Sequence, residues 1–271
     1  MVFEDGPDEA YAHAAHEVTT NMKTIRAFAA VLALLPALAF GVEAEVKLDR
    51  APADPNNLES LQRGAHTFVN YCLTCHSASY MRYNRLGDLG LTEQQIRDNL
   101  VFTGVKVGEL MKTAMDPQDA KEWFGTIPPD LTVIARSRSS HAGPGSDWLY
   151  TYLRTFYRDP SRPTGWNNVV YPNVGMPHAL WQLQGEQVLK DAQEPADGYM
   201  KTVPKLALDK PGLLPPNAYD ELVADLVNYM AYMAEPARND RTTIGLYALL
   251  VISILVALSY ALKKAYWEDV H

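Results

Sequence analysis

Cys72, Cys75 and His76 form a Cys-x-x-Cys-His run, and these are the only two cysteines in the 271-residue chain. A disulfide between cysteines three apart on a helix is a poor staple. A thioredoxin-like redox pair belongs at a strand–helix junction and has no use for the histidine. Structural zinc needs a fourth ligand and usually a second Cys/His pair, and none is evident. The run matches covalent attachment of a c-type haem. Residues i and i+3 share a helix face, so both sulfurs reach the two vinyl groups of one porphyrin. The adjoining imidazole then lies beneath the iron as proximal ligand.

The opposite axial position asks for a second ligand, and methionine is the commonest partner of histidine in electron-transfer cytochromes. Met81 follows too closely on His76 to cross the porphyrin. Met230 and Met233 continue the apolar stripe Tyr219, Leu222, Val223, Leu226 and Val227, which reads as core. Met111 and Met115, four apart, read as helical core, although a smaller cytochrome would take its methionine from that distance. Met200 stands in a polar, proline-flanked stretch with no support from its neighbours. Met176 differs, because Tyr171-Pro172-Asn173-Val174-Gly175-Met176-Pro177-His178 cannot be helix or central strand. Gly175 permits close backbone approach to a flat ligand and Pro177 stiffens the loop. Met176 is therefore the expected distal ligand, with His178 as a rival. A His/Met pair leaves no open site for oxygen, which favours electron transfer over catalysis, and no catalytic residues are expected.

Leu58, Leu61, Ala65, Phe68, Cys72 and Cys75 recur at helical spacing and predict one helix over 58–77 with both cysteines on its buried face. Further helices are expected over 92–100, where Thr92 and Gln95 form a capping box, over 146–157, and over 218–234, capped by Asn217 and stopped before Pro236. Residues 243–262 carry no charge and would span about 30 Å as a helix, the thickness of a bilayer core. Tyr247, Tyr260, Tyr266 and Trp267 sit at interfacial positions, and Lys263 and Lys264 mark a cytoplasmic tail, 263–271. At the other end, Lys23 and Arg26 precede an apolar run and small residues up to Ala44, the layout of a signal peptide over 22–44, with cleavage at Ala39 or Ala44. Residues 1–21 are acidic and lack Lys and Arg, so translation is expected to begin at Met22. The formal charge is −8, but residues 1–44 hold six of the 32 acids and two of the 24 bases, leaving 26 against 22. A net charge near −4 argues against nucleic acid as a partner.

Beyond the haem motif, the chain resembles the cytochrome c1 family, the haem subunit of quinol–cytochrome c oxidoreductase (bc1) complexes. The resemblance is carried by Leu61-Gln62-Arg63-Gly64, Cys72-Leu73-Thr74-Cys75-His76-Ser77, Tyr83-Asn84-Arg85-Leu86, Pro128-Pro129-Asp130-Leu131 with Arg136, Gly175-Met176-Pro177 and Ala234-Glu235-Pro236. It covers 58–271 and implies a mainly α, mono-haem cytochrome c-type domain over 45–242. That domain has long loops, a short hairpin at most, and one C-terminal transmembrane helix. It implies one covalent haem c on Cys72, Cys75, His76 and Met176, with Arg136 pairing a propionate and Pro128-Pro129 walling the crevice. It further implies a bacterial inner-membrane protein with its haem domain in the periplasm, anchored in lipid beside cytochrome b. Electrons would come from the Rieske iron–sulfur subunit and leave to a soluble cytochrome c. A membrane-tethered cytochrome shuttle is the alternative. His178-Ala179-Leu180 departs from the family's prolines, and 184–215 has no counterpart, reading as a surface excursion toward a neighbouring subunit or a long loop.

Overall fold

Leu61, Ala65 and Phe68 line one side of a helix, and a computed structural model, which describes residues 47–196 and 199–268, buries all three against a second helix from far along the chain. The first helix, α1 (Leu58–Thr67), starts where the Asn57 side chain accepts from the Ser60 backbone N–H. Its partner, α7 (Pro216–Ala234), presents Val223, Leu226, Val227 and Met230, all buried. Gly64 makes the approach possible, since a Cβ there would lie 2.0 Å from the Asp225 carbonyl oxygen. Arg63 and Asp225 pair across the same crossing at 2.6 Å. Buried Asn228 donates to the Asp54 carbonyl at 2.8 Å and to Ser60 at 3.0 Å. The Phe68 and Tyr229 rings pack 5.5 Å apart. Asn217 is not the cap of α7: Pro215 takes that position and Pro216 opens the helix, its missing N–H costing nothing in the first turn.

The expected helix over 58–77 ends sooner. After Thr67 the chain forms a π-helical turn, Phe68–Cys72, in which the Leu73 N–H donates to the Phe68 carbonyl. The extra residue rotates the later side chains, so Val69 and Leu73 become buried while Cys72 and Cys75 are only partly so. Strand β1 (Ala78–Arg82) follows, then a 3₁₀ stretch, Tyr83–Leu89, and α2 (Glu93–Leu100) with the expected Thr92–Gln95 capping box. Strand β2 (Leu110–Met111) pairs antiparallel with β1, so Met111 is in a strand rather than a helix.

Next come α3 (Pro117–Phe124), the short α4 (Ile134–Ser137) and α5 (Gly145–Arg154), which packs on α7. The helix expected over 146–157 stops at Arg154, and Phe156–Arg158 becomes β3, antiparallel to β4 (Trp166–Asn168). After the single turn α6 (Trp181–Gln184) lies the largest departure. The stretch expected as a surface excursion or long loop contains β5 (Gly185–Ala196) and β6 (Tyr199–Pro211), paired along their length. Gly185, at φ +93°, lets the strand leave α6, where a Cβ would meet the Lys210 carbonyl at 2.2 Å. Arg158, Glu186 and Lys210 form a salt-bridged cluster at the hairpin base, and Gln187 donates to the Arg154 and Phe156 carbonyls. Finally α8 (Arg241–Tyr266) contains 243–262 and buries none of its side chains in the protein. At about 39 Å it is long and apolar enough to cross a membrane. The expected segments 1–21 and 22–44 lie outside the described residues.

Candidate haem site

The π turn delivers Cys72 to the end of the helical segment, where its carbonyl accepts from the Cys75 and His76 N–H groups at 3.1 and 2.8 Å. Both cysteines are free thiols. Burial pushes Cys72 up to about 12, Cys75 adding to the effect, and burial raises Cys75 too. A dithiol redox site works through a depressed thiol, so these two are poorly suited to that role. Among the described residues no group of three or more His, Cys, Asp and Glu is placed to hold a metal ion.

His76 is 9% exposed, and its Nδ1 lies 2.8 Å from the Pro129 carbonyl oxygen. A carbonyl only accepts, so Nδ1 carries the proton and Nε2 keeps its lone pair. Burial lowers the imidazole's basicity more than the Pro129 carbonyl and Asp130 restore it, which keeps the ring neutral. A neutral, oriented imidazole with a bare Nε2 is what a metal requires. Pro129, expected to wall the crevice, orients the imidazole through its carbonyl. The next three residues fix its position: the Leu131 N–H donates to the Ser77 carbonyl, and Asp130 accepts from the Ser79 N–H at 2.7 Å and from Thr132. Burial opposes ionisation of Asp130, but these donors outweigh it and hold the carboxyl below its usual range. On the other side Thr113 donates to the Thr74 carbonyl at 2.6 Å, and its N–H donates to Ser77.

Met176 is presented by a loop tied down at several points. Buried Asn168 accepts from the Val170 and Tyr171 N–H groups, Asn167 accepts from the Asn173 N–H, and Arg162 grips Asn173. The Tyr152 hydroxyl donates to the Met176 sulfur at 3.4 Å. Tyr152 is itself stacked on Trp148, with ring centroids 4.7 Å apart, and the Arg138 guanidinium covers Trp148. A thioether has two lone pairs, so one hydrogen bond leaves the other free for a metal. Gly175 lies against the Phe124 carbonyl, close enough that a Cβ would be 3.7 Å away. The segment between Phe124 and Pro129 thus touches both the Met176 loop and His76, and it spans at most about 18 Å of chain. Trp123, Ile127 and Val133, in and beside that segment, are exposed apolar side chains of the kind that suit a flat apolar group.

Most of the rival ligands are packed in the core, whereas Met115 is only partly buried and its N–H donates to the Thr113 hydroxyl. Met111 is fully buried, its sulfur 3.7 Å from the Tyr229 hydroxyl, and Met81, Met230 and Met233 are core. The Met200 side chain lies outside the described residues. His178 is 2% exposed, stacked on Phe156 at 4.8 Å and edge-on to Trp166. Burial, with help from Arg158 and against the Gln184 amide, drives its imidazole down to about 4. It wedges the loop in place. Arg136 is exposed and lies 3.5 Å from Glu235. The Pro129 carbonyl and the Tyr152 hydroxyl were not identifiable as site groups from sequence; the only signal was the Pro-Pro-Asp run, whose partner lies 53 residues away.

A Cys-x-x-Cys-His turn with a bare Nε2, a hydrogen-bonded thioether on a tied-down loop and, among the described residues, one helix long and apolar enough to cross a membrane are the features of a membrane-anchored c-type cytochrome. A model of the Cytochrome C1 family matches residues 50–214 and 215–270. The chain belongs to the cytochrome C1 family, and with it go one covalent haem c and an electron-transfer role. It is 48% identical to the cytochrome c1 of Allochromatium vinosum over 83% of this chain and 90% of that one. It is 49% identical to a Nitrosomonas europaea protein named ammonia monooxygenase gamma subunit, over 92% of this chain and all of that one. Cytochrome c1 of Rhodospirillum rubrum is 27% identical over 78% of this chain and 81% of its own length.

Proposed function

We propose that this chain is the haem c subunit of a bc1 complex, standing beside cytochrome b, receiving electrons from a Rieske iron–sulfur protein and delivering them to a soluble cytochrome c. The observation that carries the site is the hydrogen bond from His76 Nδ1 to the Pro129 carbonyl, which leaves Nε2 free beside the two thiols. Cys72 and Cys75 would hold the haem through thioethers, with His76 and Met176 as its axial ligands. When bound, the haem supplies a one-electron couple and makes or breaks no substrate bond. The chain's own work is to hold His76 neutral and oriented, to keep the Met176 thioether at a fixed place, and to limit water at both. Arg136, freed from its long contact to Glu235, would pair with a propionate. Residues 22–44 would direct export and 45–242 would form the periplasmic domain on the bacterial inner membrane, with 263–271 in the cytoplasm.

Purification of the full chain in mild detergent through a C-terminal tag tests this. Reduced-minus-oxidised spectra should show b-type haems in fixed ratio to the c haem, and electron paramagnetic resonance should show a Rieske signal. A c haem that repeatedly elutes without either would overturn the complex and leave a tethered shuttle. Co-elution with a monooxygenase instead would favour the reading suggested by the name of the N. europaea relative.

A further inference from the structure

Between α1, the 3₁₀ stretch Tyr83–Leu89 and the end of α7 lies a cleft of about 480 Å³ that the haem site does not use. Its lining is mixed, polar groups outweighing apolar ones, and the apolar part includes Pro55 and Leu58, the latter left 46% exposed by the protein's own packing. Its remaining wall is the linker 235–240, which runs directly into α8. The uncharged stretch begins at Thr243, so Asp240 sits about 5 Å above it along the helix. The headgroup layer of a bilayer is about 5–7 Å deep on each side, so the cleft opens at headgroup level.

The charges in the cleft divide into two groups. Asp88 is paired with Arg85 at 2.7 Å and accepts from the Tyr232 hydroxyl, while Glu235 lies between Arg136 and Arg241. Arg238 and Asp240 make no side-chain hydrogen bond or ion pair among the described residues, and Asp240 precedes α8 without capping it. Among the described residues this leaves one unpaired cation and one unpaired anion in the cleft, two residues apart and beside the exposed Leu58, which complement a zwitterion carrying acyl chains. We propose that this cleft binds the headgroup of a phosphatidylethanolamine molecule from the adjoining leaflet, its phosphate on Arg238 and its ammonium on Asp240. The site rests on α8 crossing a membrane and is independent of the electron route.

The test is native mass spectrometry of the haem-loaded full chain, delipidated in detergent and offered one lipid at a time. One phosphatidylethanolamine should remain bound. Phosphatidylcholine, whose trimethylammonium donates no hydrogen bond, and phosphatidylglycerol, which has no cation, should each be retained about fivefold less, as befits an exposed charge pair. Arg238→Ala and Asp240→Asn should each lower phosphatidylethanolamine retention by about the same factor, whereas Arg97→Ala, an exposed charge on α2, should not. An unchanged haem spectrum shows that each variant has folded. Equal retention in the double variant, no preference among the three lipids, or equal binding of free phosphoethanolamine would overturn the proposal. So would a photo-crosslinker at Leu58 that captures a neighbouring polypeptide in place of lipid in the purified complex.

Discussion

The Tyr152 hydroxyl and the Met176 sulfur are 24 residues apart in sequence, yet their hydrogen bond sits where the electronic character of an axial ligand would be set. A donor on the sulfur draws electron density from it and makes it a poorer partner for the oxidised metal than for the reduced one. Tyr152→Phe keeps the stacked ring and removes only the donor. If the bond's whole worth of about 0.5–1.5 kcal/mol is differential, the midpoint potential should fall by about 20–60 mV. Potentiometric titration reads this directly, and an unchanged potential would mean that Met176 is not the ligand or that the bond is lost when the site is loaded. His178 gives a second prediction at this scale. Its imidazole has a pKa near 4 in the fold and about 6.5 when unfolded, so between those values the unfolded chain binds more protons. The stabilisation is complete above about pH 6.5 and is lost as pH falls toward 4, up to about 3 kcal/mol. Thermal stability should therefore fall between pH 7.5 and 5, and His178→Phe, which keeps the ring against Phe156, should flatten that drop. Parallel pH profiles for the two proteins would refute it.

At the level of elements, α1 and α7 form the frame on which the haem motif is mounted, and Gly64 sets their separation. In Gly64→Ala the new Cβ would meet backbone that has no rotamer to change, so the helices must part and the packing of Leu61, Phe68 and Tyr229 loosens. Overpacking of this kind costs about 1–3 kcal/mol or more, so denaturant unfolding should show a clearly lower midpoint, and wild-type stability would show that the crossing can give. How much of the fold was legible in the sequence depends on the range of the interactions. The Thr92 capping box, the apolar stripe of 218–234 and the charge-free anchor are local patterns and appear as read. The π turn was hidden because Leu58 to Cys75 keeps a helical spacing on paper, and only packing against α7 reveals that a residue has been added. Thr113 bonding to Thr74 and Ser77 takes Met111 and Met115 out of the expected helix, again through contacts more than 30 residues away. The β5–β6 hairpin did have a local signal. Asp197-Gly198, a dipeptide favoured in tight hairpins, separates the two strands in sequence, but the charges and prolines around it read as loop.

Considered whole, the molecule divides its burial unevenly: among the described residues every buried side chain precedes Arg241, and α8 contributes none. The core of α1, α5 and α7 closes on itself through Tyr219, whose hydroxyl donates to the Leu153 carbonyl, and through Arg154, which bridges Asp49 and Asp220. None of these contacts involves the anchor, and the side-chain link to it among the described residues, Arg241 to Glu235 at 3.6 Å, is a long pair whose arginine is exposed. Such a pair contributes little, since solvent screens it and two long side chains must be held in place. A chain ending at Asp240 should therefore fold around its haem as the full chain does. It should appear in the membrane-free fraction after cell breakage, keep the full-length absorption spectrum, and unfold with a free energy within about 0.5 kcal/mol of the detergent-solubilised parent. If instead the truncated protein lost its haem or unfolded markedly more easily, α8 would have to hold the domain together as well as tether it. The absence of buried side chains on α8 argues that its partner is lipid or another subunit.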